Sequence, residues 1–328
     1  MKVLISSLGS IGRRYVEILT NDFSAEVFYV PRQPNMNSQF IEQHNINVCD
    51  TIEEACSHLL DFGIISSPTS LHVECALAYA RLNLPFIIEK PVSNSMNHLD
   101  ILLEEINRRK LPVLVGFQLR HHPGYIHLMD GINNGDIGEI CSFNTYVGQY
   151  LPNWRPNSEY SQESSALKAL GGGVLWDLSH AFDIALSIMG DVESFENMMN
   201  SQSHLNIETE DLFNCLLLHN NNRFSNIHIN YLDHQFTWNT RVIGTKGTLV
   251  WDYVNGTTDL FQIDGTTKKY VVPSSFSRND LFISQINHWQ SVLNNTASPL
   301  VSLFEGIQLT QMLISLKKDA KNLKKEFV

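Results

Sequence analysis

Lys90 stands between Glu89 and Pro91 at the end of an apolar run, Phe86-Ile87-Ile88. A lysine placed at the end of a buried strand needs a partner, which makes Glu89 an ion-pair partner or a ribose contact. An ammonium there can donate to a substrate hydroxyl and stabilise the alkoxide that develops before hydride loss. Asp177 and His180 fall in a helix predicted over 174–189, where residues three apart differ by about 60° and project from one side. His180 can serve as a general base near neutral pH, its ring oriented by Asp177 or Asp183, although a helical histidine can equally be structural. Adjacent His121 and His122 point apart and have no ligand-spaced third group, so no metal site is expected.

A second set of residues suits a nucleotide. The run Ser7-Leu8-Gly9-Ser10-Ile11-Gly12 is a degraded G-x-G-x-x-G turn, with Ser7 in the first glycine's place. Such glycines allow a tight turn and bring backbone N–H groups to a pyrophosphate at a helix N-terminus. At the end of the second strand, Val30-Pro31-Arg32-Gln33 offers a guanidinium and no carboxylate, which favours NADP(H) over NAD(H). His72 opens a helix after Ser67-Pro68-Thr69-Ser70-Leu71, where a ribose could pass. Trp154 and Arg155 could stack on or clamp a ligand.

The elements that must carry these groups alternate. Strands are predicted over 3–5, 26–30, 62–66, 86–89 and 113–117, with helices over 51–60, 68–83 and 96–110 between the later ones. This alternation implies a doubly wound parallel sheet with ligands at the carboxyl ends of its strands. After Arg120 the texture changes. A helix over 124–134, a strand over 139–146 and an irregular loop over 149–170 lead to Gly171-Gly172-Gly173. Strands follow over 212–219, 224–231, 237–244, 248–253 and 269–272, then helices over 280–293 and 303–323. The fold class is therefore α/β: a Rossmann domain over 1–120, and over 121–328 a substrate-binding α/β domain with a large, predominantly antiparallel open sheet. That sheet could present its face to a second subunit, giving a homodimer or homotetramer.

Composition narrows the class further. A chain of 328 residues with 43% hydrophobic content suits two globular domains. Its net charge of −11 argues against a nucleic-acid partner held through phosphates. The basic stretch 317–325 reads as a solvated helix face. Five scattered cysteines without a CxxC fit reduced thiols in a cytoplasmic protein. The N-terminal apolar run belongs to a strand-turn-helix pattern rather than a signal peptide, and no stretch is long enough to span a bilayer.

In this order the motifs resemble the glucose-fructose oxidoreductase / inositol dehydrogenase / rhizopine-catabolism (Gfo/Idh/MocA) family. The matching residues are Leu8-Gly9-Ser10-Ile11-Gly12, Ser67-Pro68 with His72, Glu89-Lys90-Pro91, Gln118-Leu119-Arg120 with Pro123, Trp154-Arg155, Gly171-Gly172-Gly173 with Asp177 and His180, and Gly244-Thr245-Lys246-Gly247. The resemblance implies cofactor contacts at Leu8, Gly9, Ser10, Ile11, Gly12, Arg32, Ser67, Thr69, Ser70, Leu71, His72, Glu89, Lys90, Arg120, Trp154 and Arg155. It also implies that Lys90 polarises the substrate while His180 exchanges the proton. Ser7 and the three-residue spacing of Asp177 and His180, where the common pattern has four, depart from the family and leave Asp177 without an assured role. The stretch 150–156 with Leu178-Ser179-His180 resembles a branch associated with cell-surface polysaccharide and sugar biosynthesis. The expected activity is NAD(P)-dependent oxidation or reduction of a sugar or nucleotide-sugar in the active site between the domains. A non-catalytic cofactor-binding regulator and a redox-assisted glycosidic elimination are the rival readings.

Overall fold

The computed structural model describes residues 1–31, 37–155, 158–201 and 204–322. Arg32, which carried the NADP(H) expectation, lies outside the described residues. Two compact units are present: Met1–Gln118 with Ser277–Gln311, and Leu119–Phe276 with Met312–Val328. The second differs from the contiguous 121–328 expected, because residues 277–311 return to pack with the first unit.

In the first unit, strands β1 (Lys2–Ile5), β2 (Glu26–Tyr29), β3 (Asn47–Val48), β4 (Phe62–Ile65), β5 (Phe86–Glu89) and β6 (Val113–Gly116) make a six-stranded sheet in the order β3-β2-β1-β4-β5-β6. Every pairing in it is parallel. The middle strands are near-continuous apolar runs because both faces are covered. Between them run helices α1 (Ser10–Phe23), α2 (Ser38–Gln43), α3 (Ile52–Ser57), α4 (His72–Arg81) and α5 (Leu99–Arg109). Thr51 caps α3 by accepting from the Glu54 amide, with Glu53 and Glu54 in the first turn.

The second unit begins with α6 (Pro123–Asn133) and β7 (Ile140–Gly148). The loop over 149–170 then passes through short 3₁₀ turns to α7 (Val174–Asp177) and α8 (His180–Met189). The single helix expected over 174–189 is thus interrupted. Leu178 leaves helical geometry with ψ 23°, and the junction is tied by Ser179 N–H to Trp176 O and Ala181 N–H to Leu178 O. Such i→i+3 bonding keeps residues three apart nearly eclipsed. Strands β8 (Val192–Asn200), β9 (Leu212–His219), β10 (Arg223–Asn230), β11 (Thr237–Gly244), β12 (Gly247–Asp252), β13 (Thr257–Gln262) and β14 (Thr267–Val271) follow.

The chain then enters α9 (Arg278–Leu293) and α10 (Leu303–Asp319), and ends its described part in β15 (Lys321–Asn322). The nine-stranded sheet has the order β14-β13-β12-β11-β7-β10-β9-β8-β15. It is antiparallel except where β7 meets β10 and β8 meets β15. One face is buried; the other exposes Met198, Leu216, Phe224, Ile243 and Phe261. Two features tie α9 and the start of α10 to the first unit. Phe282 meets Tyr15 of α1 edge-on at 5.2 Å, and the Val115 N–H donates to Val301 O at 3.0 Å.

Candidate active site

In the first unit the expected residues gather at the carboxyl ends of β1, β4 and β5. Strand order reverses at β1, which is the switch point where open α/β sheets bind ligands. A Cβ on Gly12 would lie 1.8 Å from the Ser7 carbonyl oxygen, so only glycine lets α1 approach the β1 turn this closely. Ser66 Oγ donates to that same carbonyl at 3.0 Å. Gly9 and Ser10 stay exposed at the start of α1, whose first amides have no intrahelical acceptors. This turn fits a dinucleotide pyrophosphate even with Ser7 in the first glycine's place.

Thr69, Ser70 and Leu71 form a 3₁₀ turn that remains at least partly accessible. His72 does not. It is 2% exposed, and its ring nitrogens face Pro91 O at 2.9 Å and Ser67 O at 2.8 Å. The ring thus clasps two adjacent βα turns. Burial pulls its pKa down to about 4, outweighing the two carbonyls that favour the charged ring.

Lys90 is half-buried just beyond β5. Glu89 points inward: it accepts from the Tyr15 hydroxyl at 2.7 Å and from the Lys90 amide at 3.4 Å. Burial raises its pKa, and the Tyr15 bond and the Lys90 charge pull it back.

In the second unit the Gly171-Gly172-Gly173 turn delivers α7. Gly173 has φ +126°, and a Cβ on it would lie 2.3 Å from Glu210 Oε1. Asp177 accepts from the Tyr231 hydroxyl at 2.6 Å, and Trp154 meets the Tyr231 ring edge-on at 5.2 Å. Burial first, then the Asp177 charge, hold the Tyr231 pKa well above its usual value. His180 starts α8, buried, with the Trp238 ring centroid 6.4 Å from its own.

Arg120 forks onto Asp183 at 2.8 and 2.9 Å and lies 5.9 Å over the Tyr125 ring. The two bonds make a bidentate pair, which fixes the Arg120 guanidinium against α8. Arg155 pairs with Glu163. Sequence reasoning missed Tyr231, Trp238 and Glu210: Trp238 lies on β11, Tyr231 just past β10 and Glu210 just before β9, and none carried a local signal. No group of three or more potential metal ligands occurs among the described residues.

Comparison with known proteins settles the family. A sequence model described as "Oxidoreductase family, NAD-binding Rossmann fold" matches residues 1–117, and one described as "GFO/IDH/MocA C-terminal domain" matches residues 125–250. The chain belongs to the GFO/IDH/MocA family of oxidoreductases. Among curated relatives, a levoglucosan dehydrogenase of Pseudarthrobacter phenanthrenivorans is 29% identical over 156 residues, which is 46% of this chain and 37% of the relative. An inositol 2-dehydrogenase of Rhizobium meliloti is 26% identical over 147 residues, 44% of this chain and 41% of the relative. The chain therefore matches less than half the length of either. A solved levoglucosan dehydrogenase in complex with NADH superposes with TM-score 0.85 at 16% identity, covering 98% of this chain and 96% of that one. That likeness bears on the fold alone. Like its GFO/IDH/MocA relatives, the chain joins a parallel NAD-binding sheet to a large, mostly antiparallel one. No helix among the described residues is long and apolar enough to cross a membrane.

Proposed function

We propose that this GFO/IDH/MocA protein exchanges hydride between a nicotinamide dinucleotide and a secondary hydroxyl or keto group of a sugar or nucleotide-sugar. The observation that carries the reading is Lys90, half-buried at the carboxyl end of β5, two strands from the switch-point strand β1. The nicotinamide, when bound, supplies the hydride acceptor or donor. Lys90 donates to the substrate oxygen and stabilises negative charge as it develops there. His180 takes up or returns the hydroxyl proton. Asp177, held by Tyr231, is an acidic group of the second unit.

The sugar class is supported by the levoglucosan and inositol relatives. NADP(H) is the preferred cofactor because the described end of β2 runs Tyr29-Val30-Pro31 without a carboxylate. Arg13, whose guanidinium reaches Asn37 Oδ1 at 2.6 Å, adds a cation to the same unit. The resemblance of 150–156 and 178–180 supports a role in surface polysaccharide biosynthesis, and the scattered cysteines without a CxxC support a cytoplasmic location. The test is to add NAD⁺ or NADP⁺ to the purified protein with a panel of sugars and nucleotide-sugars and follow the reduced nicotinamide's absorbance. Turnover of a sugar hydroxyl, faster with NADP⁺, is expected. No binding of either cofactor and no turnover overturns the proposal.

A further inference from the structure

Glu89 sits in a niche built by four elements of the first unit. Tyr15 reaches it from α1 at 2.7 Å, and Gln285 of α9 reaches Tyr15, its Nε2 donating to the phenol oxygen at 2.8 Å. On β6, Gly116 leaves room, since a Cβ there would lie 2.9 Å from Glu89 Oε1. On β5 itself, the Lys90 amide faces Glu89 Oε2. Glu89 is 6% exposed, Gln285 1% and Tyr15 fully buried.

The direction of the protons follows from the donor inventory. A phenol has one proton to give, while its oxygen can also accept. Gln285 donates to the oxygen, so the phenol proton is directed to Glu89 Oε1. The charges that act on Glu89 are Lys90 on its own turn and Arg278 on α9, and both favour its ionised form. Burial acts the other way. The hydroxyl of Tyr15 therefore supports the carboxylate in a place that would otherwise favour the neutral acid.

We propose that Tyr15 and Gln285 are positioning residues that keep Glu89 a carboxylate beside Lys90, so that Lys90 retains the proton it donates to substrate. This rests on the assignment of Lys90 above. It gives the returning segment a role in the chemistry, because Gln285 arrives 270 residues after Tyr15.

The experiment is a pH titration of ¹³C-labelled glutamate carboxyls by NMR, with Glu89→Gln identifying the Glu89 resonance. It is paired with the pH profile of kcat and with cofactor titration. Tyr15→Phe, which keeps the ring, is expected to move the Glu89 titration upward by about one pH unit, a tenfold change in proton affinity. Near neutral pH kcat should fall, because the proton shared by the pair shifts from Lys90 towards Glu89, while cofactor affinity stays within about threefold.

Gln285→Glu should act in the same direction, since a carboxylate there accepts the phenol proton. Gln285→Met should do less, and nothing once Tyr15 is Phe. If Tyr15→Phe does not fold, the two Gln285 variants carry the test. A Glu89 resonance that titrates at the same pH in all folded variants overturns the proposal. Because the resonance is read without substrate, a protein lacking dehydrogenase activity would still report on the relay, and the two failures remain distinct.

Discussion

Lys317 donates to Glu210 Oε2 at 2.8 Å and lies 5.2 Å over the Trp176 ring. The basic stretch that looked like a solvated helix face thus begins with a side chain built into the second unit. Glu210 is 3% exposed, and its backbone oxygen accepts from the Val174 amide at the start of α7. Removing only the cation leaves a buried carboxylate uncompensated. Lys317→Met should therefore cost about 2–3 kcal/mol in urea denaturation, at the low end for a buried pair because the lysine keeps some solvent. Adding Glu210→Gln should recover part of that loss. Additive losses in the double variant would count against the pairing.

The His72 clasp makes stability depend on pH. The folded-state pKa of about 4 lies below the ordinary value of 6.5, so the unfolded chain binds the proton more readily. The contribution is complete above the unfolded value and is lost as pH falls from 6.5 towards 4. At about 1.4 kcal/mol per pH unit, full loss amounts to about 3 kcal/mol. His72→Gln should be less stable than the parent at pH 7, with the gap closing by roughly that amount near pH 4. Denaturation at several pH values checks it; a gap that stays constant from pH 7 to 4 would contradict the clasp's neutral state.

What was legible in the chain was what is local. The turn around Gly12, the Glu89-Lys90-Pro91 strand end and the alternation of the first unit carry their signals within a few residues. His72 was readable as a residue at a helix start, but its partners are the backbone carbonyls of Ser67 and Pro91, which leave no trace in residue type. β8 went unread because Glu193, Glu196 and Asn197 are poor strand formers, and its pairing with β9 overrides that preference. The break between α7 and α8 has no glycine or proline at 178–179 to announce it. Tyr15 and Gln285 could not be linked at all, since nothing in the sequence shows that α9 returns to the first unit.

The homodimer or homotetramer expected from the sequence is proposed to form through the exposed face of the nine-stranded sheet. Leu216 and Phe224, on paired strands, are 46% and 45% exposed. Patches of this kind mark association surfaces. Leu216→Asp with Phe224→Asp should lower the mass measured by light scattering to that of one chain without unfolding it. An unchanged mass, or a parent protein that is already monomeric, removes this face as the contact.

The central claim is that Lys90 handles the substrate oxygen and is not needed to hold the cofactor. Lys90→Met and the parent should be compared by cofactor fluorescence titration and by turnover of whichever sugar the panel identifies. The account predicts cofactor affinity within a few-fold of the parent and turnover lower by at least about 10³, a loss of some 4 kcal/mol of transition-state stabilisation. A Lys90→Met protein that turns over at the parent's rate would contradict it.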